Sequence, residues 1–207
     1  MPRPPLTEIV DPGRCVLLTQ ELQGGVVGPD ASLQVLAEEA RREALPNAVR
    51  LVDAARTAGV QVVHCLVEQR PNGRAAAGNC RLFQMGSRMP ASMLPGSPGA
   101  SLLPELGPHP DDIVLTRVGG LGPMANTELD SVLRNLGARA IVLVGVSVNV
   151  AILNCVMDAV NLGYQVVLPR DAVAGVPTEY ATAVLDNTLA LLADVVTTDD
   201  VVEAWSP

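Results

Sequence analysis

A chain of 207 residues, 48% of them apolar, is long enough to bury a sizeable core within one domain. With 14 Lys plus Arg against 22 Asp plus Glu, a net charge of −8 and no basic run, it lacks the row of cations that would neutralise nucleic-acid phosphates. No apolar stretch approaches the roughly 20 residues of a membrane span, and the Pro-rich start lacks the apolar centre of a signal peptide, so the chain reads as cytoplasmic.

Residues 1–13 form an N-terminal extension. Beyond it, apolar runs of strand length alternate with helical patterns, the rhythm of a parallel sheet covered on both faces. Six strands are predicted: Cys15 to Thr19, Gln61 to Val67, Ile113 to Thr116, Ala140 to Val144, Gln165 to Leu168 and Val195 to Thr197. A helix with Pro46 in its first turn and Gly59 at its end links the first two. Others are predicted at Thr127 to Leu136, Asn149 to Leu162, Thr178 to Leu192 and Asp199 to Ala204, with Asn126 or Thr127, Thr178 and Thr198 as amino-terminal caps. The segment 68–112, dense in Gly and Pro, reads as one long loop with little helix, of the kind that forms a lid or binding segment. With one Phe, one Trp and two Tyr, the core falls to aliphatic residues. The fold class is therefore α/β, a three-layer sandwich around a six-stranded, mostly parallel sheet in a single domain over 1–207.

Cys15, Cys65, Cys80 and Cys155 show no C-x-x-C spacing, and neither His64 nor His109 has a second ligand at metal-binding spacing. Neither a metal nor a cofactor is expected. In open α/β sheets the ligand crevice lies at the carboxyl ends of the strands, which makes Glu21, Glu68, Arg117, the turn from Gly145 to Ala151, and Asp171 the residues to read. Glu21 and Arg117 are the most pointed, since each closes an apolar strand and is costly to bury without a partner.

Three blocks carry a resemblance. Leu17-Leu18-Thr19-Gln20-Glu21-Leu22-Gln23 is similar to an apolar strand ending Asp-x-Gln. Pro95-Gly96-Ser97-Pro98-Gly99 through Asp112-Ile113-Val114-Leu115-Thr116-Arg117 is similar to Pro-Gly-x-x-Gly followed by a strand ending in Lys. Gly145-Val146-Ser147-Val148-Asn149-Val150-Ala151 through Asp158-Ala159 and Gly163-Tyr164 is similar to Gly-Val-x-x-x-x-Cys and the helix after it. In this order, with Asp171-Ala172 following, they resemble the isochorismatase-like hydrolases, a superfamily of cysteine amidases, nicotinamidases and isochorismatases.

The resemblance implies a catalytic acid at Glu21, a lysine position held by Arg117, a nucleophile position held by Ala151, and a peptide between Val146 and Ser147 that is often cis. It also implies a homodimer or homotetramer acting on a small molecule. Val146, Ser147 and Asn126 are the candidates to border that substrate, and charge adds Arg88 or Arg81, reaching in from the long loop. Ala151 offers no thiol and Arg117 no readily lost proton, so thiol-based amidase chemistry is disfavoured. The nicotinamidase pattern of metal ligands has no counterpart after Gln23.

The expected activity is hydrolysis of a small polar or anionic substrate, with Glu21 as acid or base and Arg117 holding substrate charge. The alternative is an inactive relative serving as a binding or assembly module. A nucleotide-binding oxidoreductase, hinted at by Gly24, Gly25, Gly28 and Glu68, has the wrong glycine spacing. Cys155, a turn beyond Ala151, reads as a buried apolar thiol, His64 as a satisfied core histidine, and Asp171 as a fixer of the loop behind the third block.

Overall fold

The computed structural model describes residues 4–73, 76–86, 93–125 and 127–206. In chain order the elements are α1 (Leu6–Ile9), β1 (Cys15–Gln20), α2 (Gly24–Val27), α3 (Gln34–Glu39), α4 (Leu45–Ala58), β2 (Gln61–Val67), α5 (Arg81–Gly86), β3 (Ile113–Arg117), α6 (Leu129–Asn135), β4 (Ala140–Val146), α7 (Leu153–Asn161), β5 (Gln165–Pro169), β6 (Val173–Ala174), α8 (Thr178–Asn187), β7 (Asp194–Val196) and α9 (Thr198–Trp205). The sheet runs β3-β2-β1-β4-β5-β7, with β6 added beside β4, and every pairing is parallel. The predicted sheet thus gains a seventh, two-residue strand, too short to show as an apolar run.

Alternation along the central strands sorts side chains into two cores. Cys15 and Leu17 of β1, with Val142 and Val144 of β4, face the layer of α4 and α9. Val16 and Leu18, with Ile141 and Leu143, face α6, α7 and α8. Both sides of β1 and β4 are apolar because helices cover both, which is why these strands read as unbroken hydrophobic runs.

Three boundaries differ from expectation. Pro46 does not open a helix: helical backbone runs from Gln34 through it, with a π-helical stretch at Ala40–Ala44 just before. Proline has no N–H to continue the ordinary ladder, and the wider turn takes up that interruption. The cap of α9 is Thr197 rather than Thr198, in a reciprocal capping box with Asp200. α8 begins at Thr178 itself, behind Pro177, and gives way to a 3-10 turn at Leu189–Leu191. The long segment between β2 and β3 holds α5 and a 3-10 turn at Pro104–Leu106.

The N-terminal extension is tied down by α9. The buried Trp205 indole donates to the Val10 carbonyl at 2.9 Å, and its ring joins the core cluster of α4. Trp205→Ala is expected to lower the unfolding free energy in urea by about 3–5 kcal/mol. Trp205→Phe, which keeps ring volume but not the N–H, is expected to cost about 1 kcal/mol on the same measurement.

Candidate active site

The strand order places the turning point of the topology at β1 and β4, where the loops leaving neighbouring strands diverge and open a crevice. A cavity of about 390 Å³ lies there. Its floor takes Glu21 from the end of β1, Val67 and Glu68 from the end of β2, Arg117 from the end of β3, and Ser147, Val150 and Ala151 from the turn after β4. Its walls are mostly apolar: Val26, Leu33 and Leu36 on one side, Leu82, Phe83 and Met93 from the long segment, and Val118 to Leu121 after β3.

Glu21 and Arg117 meet across the end of β2. The Arg117 guanidinium donates through Nη2 to Glu21 Oε1, and Gln20 Nε2 donates to the same oxygen at 2.9 Å. The side chains are 6% and 15% exposed for Arg117 and Glu21, so the pair is largely withdrawn from water. Arg117 Nε and Nη1, and Gln20 Oε1, are buried with no hydrogen-bond partner among the described residues. Both contacts fall on Oε1 of Glu21, which accepts from each donor.

The backbone at Glu21 is unusual. Its φ is +54°, the one positive value outside glycine among the described residues, and left-handed backbone of this kind costs a non-glycine residue about 1–2 kcal/mol. Its N–H is held by the Cys65 carbonyl at 2.9 Å, and its own carbonyl accepts from the Gln23 amide at 2.9 Å. Strain of this sort persists where surrounding bonds over-determine it.

Gln23 fixes the near wall. Completely buried, it donates to the carbonyls of Val67 and Gly99 at 3.0 Å each and accepts from the Val67 amide at 2.7 Å. Gly24 and Gly25 sit so close to Pro98, Gly99 and Met93 that a Cβ on either would collide. Here glycine permits close approach of two chain segments, which is its service in this loop rather than phosphate binding.

After β4, Gly145 takes φ +114° against the Gln20 carbonyl, and the Val146–Ser147 peptide is cis. The helix then opens as a π-turn over Val148–Ile152, with the Ile152 amide donating to the Ser147 carbonyl at 3.0 Å. Ala151 and Ser147 face the cavity. Val146 does not: it is the last residue of β4, and strand alternation turns its side chain into the core beneath. Arg81 also turns away, exposed at the start of α5, while Leu82 and Phe83 beside it line the wall. Arg88 and Asn126 lie outside the described residues. Thr127, the other candidate cap, accepts from the Leu129 amide at 3.0 Å.

The remaining candidates serve the scaffold. Cys155 is completely buried and burial pushes its thiol pKa up; Cys65, likewise buried, is pushed up to about 12. Asp171 accepts from the backbone and hydroxyl of Thr198 at 2.8 and 2.9 Å, so it braces the start of α9 rather than the loop after β4. His64 is fully buried between Thr19 and Asp112, its Nε2 3.1 Å from the Asp112 carboxylate and its Nδ1 2.7 Å from the Thr19 hydroxyl. Arg56 closes the chain by donating to Asp112 Oδ2 at 2.5 Å.

Two further residues bear on the site. Gln20, completely buried as the last residue of β1, partners Glu21 from beneath, and Glu68 lines the cavity itself. Glu68 was visible as a residue closing a strand, the same signal that Glu21 gives.

Burial lowers the His64 pKa below its ordinary 6.5, against the opposing pull of Asp112. The unfolded chain therefore binds the proton more readily, and stability that is full above about pH 6.5 is lost as pH falls toward the depressed native value. The urea midpoint is expected to drop between pH 7.5 and pH 5.5, and His64→Gln is expected to flatten that part of the slope.

The Isochorismatase domain family matches residues 15–200. Ureidoacrylate amidohydrolase RutB of Rhizobium rhizogenes is 33% identical over 141 residues, which cover 62% of this chain and 56% of that one. The RutB protein of Agrobacterium fabrum is 32% identical over 141 residues, covering 62% and 60%. The chain thus aligns with less than two thirds of the length of these curated relatives. Among solved structures, an isochorismatase family protein from Burkholderia thailandensis superposes with a TM-score of 0.75 at 27% identity, over 93% of this chain and 96% of that one. A cysteine hydrolase from Pseudomonas syringae pv. phaseolicola superposes with a TM-score of 0.81 over 99% and 98%, and at 21% identity this likeness bears on the fold alone. With the domain matched across nearly the whole of the sheet and its helices, the chain belongs to the isochorismatase family.

Proposed function

We propose that the protein is a hydrolase that acts on a small polar or anionic molecule without an enzyme thiol. Water attacks the substrate directly, Glu21 serves as the acid–base group, and Arg117 holds substrate charge. The observation that carries this reading is the Glu21–Arg117 pair on the floor of an otherwise apolar cavity, beside Ala151. In this reading Glu21, Arg117 and Ala151 occupy the positions of the family's acid, lysine and cysteine.

The chemistry follows from what each group can do. Ala151 cannot form an acyl-enzyme, so the nucleophile must come from solvent. Glu21, fixed at the cavity floor by Gln20 and Arg117, is placed to act on an attacking water as its general base. Arg117 keeps its charge throughout, and its place in the cavity lining beside Glu21 sets that charge toward an acceptor on the substrate. The amidohydrolase activity named for the RutB relatives supports hydrolysis as the reaction class.

A second reading draws on the same pair. Glu21 and Arg117 satisfy one another, and with Ala151 beside them the cavity can serve as a binding module that performs no chemistry.

Purified protein tested against isochorismate, nicotinamide, ureidoacrylate and N-carbamoylsarcosine is expected to turn over at least one of them. That activity should survive thiol alkylation and Cys155→Ala. Glu21→Gln should cut kcat/KM about a hundredfold or more. Turnover of none, with a melting temperature raised by one of them, would establish the binding module instead.

A further inference from the structure

We propose that Glu68 is a second proton-transfer residue of this site, the acid that protonates the leaving group while Glu21 takes the proton of water. This assignment rests on the hydrolase reading above.

Three adjacent strands end on charged residues that all line one cavity: Glu21 after β1, Glu68 after β2 and Arg117 at the end of β3. The side chains of the outer two join over the end of the middle one. Glu68 is fixed by its backbone, its amide donating to the Arg117 carbonyl at 2.8 Å, and it is half-buried at the cavity floor. Its carboxyl group forms no ion pair or hydrogen bond among the described residues, whereas Glu21 is held by both Gln20 and Arg117.

The two carboxyl groups therefore differ in what they can do. Glu21 has a cation and an amide donor stabilising its charge. Glu68, half-buried in the same cavity, has neither among the described residues. Two carboxyl groups placed in unlike surroundings within one cavity are how a single site supplies both a base and an acid.

The reaction balances with these two groups. The oxygen of water bonds to the electrophilic carbon as its proton passes to the Glu21 carboxylate. The bond from that carbon to the leaving heteroatom breaks, and the departing electron pair takes the proton of the Glu68 carboxylic acid. Exchange with solvent returns Glu21 to its carboxylate and Glu68 to its acid form. Arg117 stays protonated throughout.

The test uses full-length protein and whichever of the four panel compounds it turns over. An acid works only while it holds its proton, so the alkaline limb of the pH profile of kcat/KM belongs to Glu68 and the acidic limb to Glu21. Glu68→Gln is expected to lower kcat about a hundredfold or more, to move KM by less than about threefold, and to abolish the alkaline limb. Glu68→Asp should retain both limbs with a smaller loss of kcat. Active wild-type protein whose Glu68→Gln variant keeps both limbs, or suffers in KM alone, overturns the role of Glu68 and leaves the hydrolase standing. Wild-type protein inert toward all four compounds removes both.

Discussion

A guanidinium that is 6% exposed at the end of an edge strand is tolerable only with a partner, and the partner here comes from two strands away. Removing either member of such a pair strands the other charge in a poorly solvated place, a loss of the order of 3–5 kcal/mol where burial is complete. The pair therefore fixes more than two side chains. It sets how far the loops after β1 and β3 stand apart, and so the width of the cavity over β2. Among the described residues the Nε and Nη1 of Arg117 have no hydrogen-bond partner, so the fit is incomplete on the buried side of the pair.

The fold delivers this pair by simple means. Parallel strands all point their carboxyl ends the same way, so four successive strand ends converge without any long-range coincidence. Covering both faces with helices leaves the sheet's end as the open direction. The left-handed backbone at Glu21 then turns the chain sharply enough for its carboxylate to cross toward β3, while Gln23, two residues on, locks the returning chain to Val67 and Gly99. Backbone strain and a fully satisfied buried amide sit side by side, one setting the direction of the acid and the other holding it.

How much of this the sequence disclosed depended on whether a feature was local. Strand runs such as Cys15 to Gln20 and Ala140 to Val146 were legible because burial on both faces leaves nothing but apolar residues. The meeting of Glu21 and Arg117 was legible because strand ends share an edge in this architecture. Val146 was misjudged because sequence proximity to Ser147 says nothing about which face a strand's last side chain takes, and Pro46 because a π-turn upstream has no sequence mark of its own. Gly24 and Gly25 lacked the spacing of a nucleotide loop, but what they do instead was not legible, because Pro98 and Met93 press on them from more than 65 residues away in the chain. Glu68 was in plain view, but only the cavity shows that it shares a space with Glu21.

The apolar walls give the charged floor its leverage. Leu36, Phe83, Met93, Val118 and Leu121 offer water few hydrogen bonds, so a substrate that fills the cavity leaves the charges at its base in a medium of lower effective dielectric. In such a medium the field of Arg117 on a bound acceptor is stronger. A thiol at position 151 would make water a competitor to be kept out until an acyl-enzyme formed. With alanine there, the proposed hydrolysis would leave the small volume beside Ser147 to the attacking water, and the apolar walls would confine that water between base and substrate. On the proposed mechanism an alanine beside a paired acid is consistent in physical terms: the one would make room for water, and the other would keep a group at hand to activate it.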